Sequence, residues 1–161
     1  MLPDGAVDFD GLKKLIDFQI DGGTDAIIIC GTTGESSTLD DDEHRAAIRC
    51  AVEHTANRIP VIAGTGSNDT KYAIELSKEA QQLAADGLLV VTPYYNKTTQ
   101  KGLIEHYKAI ASSTSLPIIM YSVPGRTGVN ISYFTLRKLI KCSSNIVGLK
   151  ECSSDFNLFK F

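Results

Sequence analysis

Five short, strongly apolar runs recur along the chain at intervals of roughly 30 residues, about one βα unit each. They are AIIIC at 26–30, PVIA at 60–63, LLVV at 88–91, PIIMY at 117–121 and NIVGLK at 145–150. A helical pattern precedes each run or separates it from the next. Between 9 and 20, Leu12, Leu15, Ile16 and Ile20 share one helix face, and Asp21-Gly22-Gly23 closes the helix with glycine where φ turns positive. Asp40 with Glu43 three residues on is an acidic helix start, and Ala47, Ile48, Ala51 and Val52 mark that helix's inner face. Further helices are predicted over 70–85, 102–112 and 133–140. Strands this apolar are buried on both faces, so the expected class is α/β: a parallel sheet covered by helices.

Two architectures satisfy that pattern, a doubly wound sheet and a (β/α)8 TIM barrel. The polar, glycine-rich segments all follow strands: GTTGES, GTGSN, TPYYN, YSVPGRTG and LKECSSD. They therefore gather at the C-terminal edge of the sheet, where both architectures place their sites. Five loops contributing together fit a barrel mouth better than a single crevice. A complete barrel takes about 250 residues, whereas the chain has 161 and shows five of eight strands.

Composition narrows the partners. The net charge is −3, and no basic stripe appears, which argues against nucleic acid. The apolar runs fall far short of the roughly 20 residues of a membrane span, and no signal-peptide pattern is visible. Cys30, Cys50, Cys142 and Cys152 show no CxxC spacing. They read as reduced thiols of a cytoplasmic protein, with zinc or redox roles the lesser alternative. His44, His54 and His106 lie on helices without ligand spacing; solvated helix faces are expected for them, and no metal is assigned.

The loops carry the chemistry. Gly31-Thr32-Thr33-Gly34-Glu35-Ser36 can cradle an anion with successive N–H groups and hydroxyls, or can be a tight βα turn. It is not a phosphate loop, because no GK[ST] follows, and GTGSN lacks the features of a dinucleotide site. Tyr94-Tyr95 at a strand end can donate protons to a site or pack at an interface. Tyr121 ends the fourth run, just ahead of Pro124-Gly125-Arg126-Thr127-Gly128. Arg126 there can clamp a carboxylate or be a surface arginine. Lys150 is the sharpest residue. An amine at the end of an apolar strand is desolvated, and a neutral amine attacks ketones; the alternative is a lysine snorkelling into solvent.

Taken together these residues resemble the dihydrodipicolinate synthase (4-hydroxy-tetrahydrodipicolinate synthase) family, within the class I pyruvate-aldolase superfamily that includes N-acetylneuraminate lyase. The matching stretches are VDFDGLKKLIDFQIDGGTDAIIICGTTGESSTL, IPVIAGTGSNDT, DGLLVVTPYYNK, LPIIMYSVPGRTG and NIVGLKE, in family order over nearly the whole chain. The resemblance implies a (β/α)8 barrel that makes lysine and diaminopimelate precursors by condensing pyruvate with L-aspartate 4-semialdehyde. It implies Lys150 as the Schiff-base lysine, Tyr121 as the proton relay, and Thr32 as the link between the two tyrosines. Thr33, beside Gly31, lies against the pyruvate carboxylate. Tyr95 reaches a neighbouring subunit's site, and Arg126 receives the semialdehyde's carboxylate. No organic cofactor or metal is implied, since the imine is the electron sink; a homo-oligomer, dimer or tetramer, is implied. The runner-up is another pyruvate-dependent lyase acting on sialic acid or a 2-keto-3-deoxy sugar acid, against which Arg126 in VPGRTG argues.

Three departures qualify the resemblance. Ser122 stands where the family usually has asparagine. The family's lysine-feedback pocket matches at Ser36, His44, Asn68 and Tyr94, but Tyr72 replaces a glutamate and Asp41 a histidine, so feedback does not carry over. The largest departure is extent. The family strand ahead of LPDGAVDFD is absent, and the chain stops 11 residues past Lys150, in NLFKF. The expectation is residues 1–161 as one partial barrel domain holding strands two to six, with low or no activity by itself and a non-catalytic fragment as the alternative.

Overall fold

Each of the five longer α-helices begins where a side chain supplies the acceptor that the first turn lacks. The computed structural model describes residues 1–153. Helix α1 (Phe9–Asp21) is capped by the Asp8 carboxylate, which accepts from the Gly11 N–H at 2.8 Å. Helix α2 (Asp41–Thr55) carries the predicted capping box: Asp40 accepts from the Glu43 N–H, and the Glu43 carboxylate accepts from the Asp40 N–H. Asp69 caps α3 (Thr70–Gln82), Thr99 caps α4 (Gln100–Ala111) and Ser132 caps α6 (Tyr133–Cys142). Asp40→Ala removes half of the box on α2 and is expected to cost about 1 kcal/mol, readable as a lower denaturation midpoint at unchanged slope.

Between the helices run β1 (Ile27–Ile29), β2 (Val61–Gly64), β3 (Gly87–Val91), β4 (Ile118–Ser122) and β5 (Ile146–Glu151). Two differences from the sequence reading exceed a shift of two residues. The third helix stops at Gln82 rather than 85, because the chain turns at Ala84 with φ +62 and the Ala85 N–H folds back to the Ala80 carbonyl. The segment after β4, read as a loop, contains a one-turn helix, α5 (Pro124–Thr127), with proline at its start. The tail residues beyond 153, NLFKF among them, lie outside the described residues.

The five strands are parallel and lie in chain order, β1-β2-β3-β4-β5. A doubly wound sheet reverses its order at a switch point and places helices on both faces. Here the order never reverses. Consecutive helices pack on one another, α1 on α2, α2 on α3, α3 on α4 and α4 on α6. That is the wall of a (β/α)8 barrel. Within it the strands alternate cleanly. Val61, Ala63, Leu88, Val90, Ile118 and Met120 point to the helices and join Ile48, Leu103, Tyr107 and Leu139 in the main core. Leu89, Tyr121 and Val123 form a second, smaller cluster with Ile62, Val91 and Ile119 on the opposite face. The β4–β5 pairing shifts once: Ile118 pairs with Ile146, but Ile119 pairs with Gly148. Val147 is the extra residue, 62% exposed. Among the described residues β1 and β5 are each paired on one side only.

The histidines correct one expectation. His44 and His106 are buried, 6% and 5% exposed, rather than solvated. His44 falls on the same helical stripe as Ala47, Ile48 and Ala51, and its Nε2 lies 3.0 Å from the Gly64 carbonyl. His106 shares the inner face of α4 with Leu103 and Ile110. Its Nδ1 lies 2.9 Å from the Thr70 hydroxyl, tying α4 to the start of α3. Burial pushes the His106 imidazole down to about 4, partly opposed by Asp69. The unfolded chain therefore binds more protons than the folded one between about pH 4 and 6.5. The contribution of His106 to stability is therefore expected to be full above pH 6.5 and to fall as pH drops towards 4, by up to about 3 kcal/mol. His106→Gln is expected to flatten that part of the melting temperature against pH.

Candidate active site

The strand ends converge on a cavity of about 420 Å³. The β1 end is built by a tight approach. Cys30 leaves the strand with φ +54, and its carbonyl lies directly over Gly64 at the end of β2, where a Cβ would sit 2.0 Å from the Cys30 oxygen. Gly66 is equally constrained: a Cβ there would meet the Val91 nitrogen at 2.4 Å. These contacts bring Gly31 and Thr32 to the cavity wall. The turn beyond is closed by the Glu35 N–H donating to the Thr32 carbonyl at 3.2 Å. Cys30 also lines the cavity, but burial pushes its thiol up to about 12, which makes it a poor nucleophile.

Tyr121, the last residue but one of β4, lies on the cavity side and is buried. The sheet register sets Lys150 opposite it, and the Lys150 Nζ lies 4.4 Å from the centre of the Tyr121 ring. Lys150 itself is exposed, the solvent-facing alternative of the sequence reading rather than the desolvated one. The reason is topological: β5 has no strand beyond it among the described residues, so its side of the cavity stands open. Arg126 projects from α5 and lines the cavity, as do Tyr94 and Tyr95 from the loop after β3. Tyr95 has φ +70 and is 90% exposed.

Six of the seven residues singled out from the sequence thus meet at one sheet edge: Gly31, Thr32, Tyr95, Tyr121, Arg126 and, against the Tyr121 ring, Lys150. Thr33 is exposed and does not line the cavity. Several lining residues carried no role in the sequence reading, among them Thr127, Leu89 and Val91. The alternation of β3 outward from Leu89 contained that information, because the residue two positions along a strand shares its face. On the far wall, the Tyr72 hydroxyl donates to Asp41, and Arg45 holds Glu79 by two hydrogen bonds of 2.9 Å. Burial, then the Asp41 contact, pushes the Tyr72 phenol up to about 12. The two positions that depart from the lysine-feedback pattern therefore bind each other. Among the described residues, no group of three or more His, Cys, Asp or Glu side chains is placed to hold a metal ion, and no helix is long and apolar enough to cross a membrane.

A run of (β/α)8 barrel strands thus carries a lysine and a tyrosine side by side at their C-terminal ends. The sequence profile of the dihydrodipicolinate synthetase family matches residues 1–160, and the chain belongs to that family. It is 61% identical over 149 residues to a 4-hydroxy-tetrahydrodipicolinate synthase of Lachnoclostridium phytofermentans, covering 92% of this chain and 51% of that protein. A synthase of the same name from Acetivibrio thermocellus is 57% identical over 150 residues, covering 93% of this chain and 51% of its own length. Among solved structures, the chloride-inhibited dihydrodipicolinate synthase from Acinetobacter baumannii complexed with pyruvate superposes with a TM-score of 0.94 at 52% identity, covering 98% of this chain and 54% of that one. The chain spans about half the length of the curated relatives it matches.

Proposed function

We propose that this chain supplies the pyruvate-activating part of a 4-hydroxy-tetrahydrodipicolinate synthase, a Schiff-base lyase of lysine and diaminopimelate biosynthesis. The observation that carries the reading is the Lys150–Tyr121 pair at the cavity edge. In this reading the Lys150 amine adds to the ketone carbon of pyruvate and water leaves, forming an imine. Loss of a methyl proton gives an enamine, whose carbon bonds the aldehyde carbon of L-aspartate 4-semialdehyde. The semialdehyde's own amine then displaces Lys150 and closes the ring. Tyr121 carries the protons, with Thr32 linking it to Tyr95; Gly31 binds the pyruvate carboxylate, with Thr33 outside the cavity beside it, and Arg126 binds the second carboxylate. No cofactor is required, because the imine is the electron sink. Cytoplasmic location and assembly into a homotetramer through the exposed Tyr95 loop belong to the same reading.

The exposed Lys150 favours a second outcome for these 161 residues alone: a half-built pocket that forms imine slowly or not at all. Incubation with pyruvate and borohydride, followed by peptide mass analysis, decides between them. A reduced pyruvyl adduct on Lys150 supports the synthase chemistry in this chain; an unmodified Lys150 assigns it a non-catalytic part. Arg126 separates the synthase from a sugar-acid lyase. Arg126→Ala is expected to raise the KM for aspartate semialdehyde by about 100-fold, the loss of a charged hydrogen-bonded pair, while pyruvate trapping stays unchanged. An unchanged KM would favour the lyase.

A further inference from the structure

None of the ion pairs or side-chain hydrogen bonds among the described residues holds the Arg126 guanidinium. Its place at the cavity must come from the backbone that carries it. That backbone is α5, a single turn, too short to hold its shape unaided. We propose that Thr127, backed by Thr92, is a positioning residue that fixes the α5 turn and so presents Arg126 to a substrate carboxylate. The proposal rests on the reading of Arg126 given above.

Both threonines are buried, Thr92 completely. The Thr127 hydroxyl donates to the Val129 carbonyl at 2.9 Å. It accepts from the Val129 N–H at 3.2 Å and from the Thr92 hydroxyl at 3.1 Å. Its one proton and both lone pairs are thereby used. Thr92 in turn donates its backbone N–H to the Tyr121 carbonyl at 3.0 Å. One chain of contacts therefore ties the ends of β3 and β4 to the turn. Gly128, next in sequence, takes φ +69, and its N–H closes the turn onto the Pro124 carbonyl at 2.9 Å. Valine has the shape of threonine without the hydroxyl. Thr127→Val leaves the Val129 N–H and carbonyl without that partner and frees the turn to reorient.

The test uses the 161-residue chain labelled with ¹⁵N, succinate as a carboxylate probe, and the Arg126 Nε–H resonance as the reporter. Thr127→Val is expected to raise the half-saturating succinate concentration about tenfold, the equivalent of roughly one lost hydrogen bond. Thr127→Ser, which keeps the hydroxyl, should restore binding to within about twofold. The Gly128 amide is a second reporter, expected to exchange faster in Thr127→Val and normally in Thr127→Ser. Should Thr127→Val fail to fold, Thr92→Val weakens the same contact from the other side and is read in the same way. Wild-type succinate affinity together with wild-type Gly128 exchange in the valine variants overturns the proposal. If wild-type Arg126 ignores succinate while Gly128 still loosens in Thr127→Val, the carboxylate role of Arg126 fails and the positioning role stands.

Discussion

Gly64→Ala is expected to prevent the chain from folding. The added Cβ would sit 2.0 Å from the Cys30 carbonyl oxygen and 2.8 Å from its carbon. Those atoms are backbone, in the turn just past the neighbouring strand, so no rotamer change relieves the clash. Cys30 already occupies the left-handed region to make the approach, and β1 cannot retreat without breaking its pairing with β2. Overpacking against side chains costs about 1–3 kcal/mol. A clash with fixed backbone belongs with the exceptional losses above about 4 kcal/mol, a large share of the roughly 5–15 kcal/mol that a domain has in total. The expected result is loss of the cooperative melt and of amide dispersion in the NMR spectrum. Gly125→Ala is the control: nothing lies within 4 Å of its Cβ, and the melt should move by no more than about 0.5 kcal/mol. A Gly64→Ala chain that melts like wild type would refute the described packing of β1 on β2.

Lys150→Arg should do the reverse, leaving the fold intact and removing the chemistry. The side chain is exposed, and arginine keeps the positive charge over the Tyr121 ring. A guanidinium does not give up its proton, so it cannot add to a ketone. The borohydride-trapped pyruvyl adduct should fall to background while the melting temperature stays within about 2 °C, as surface substitutions do. Persistent labelling of the variant at another lysine would show that Lys150 is not the nucleophile.

Periodicity exposed the fold because each apolar run was short and set apart from the next by a helical pattern. It could not separate a barrel from a doubly wound sheet, since that distinction lies in strand order, a property of pairing between distant segments. The site loops were legible for the same reason: every polar segment after a strand emerges on one edge. Burial was harder to read. His44 and His106 sit where the helical stripe runs, but histidine type masked the position. Lys150 left both readings open. Its sequence neighbours are apolar, yet exposure depends on what lies beyond β5, which no local pattern encodes. The α5 turn escaped because four residues give no period, although Pro124 and Gly128 are its ordinary first and last signals.

The shift between β4 and β5 has a consequence in parity. Ile146 points to the helices, and strict alternation from there would send residues 148 and 150 the same way. Because Val147 is spent without a partner, the count resets: Gly148 falls opposite Ile119, and Lys150 opposite Tyr121. A one-residue slip turns every later side chain over. A single uncounted valine thus decides whether the only lysine on this strand faces the helices or the Tyr121 ring, and a one-residue change of length at 147 would be all but silent in composition yet would turn Lys150 over.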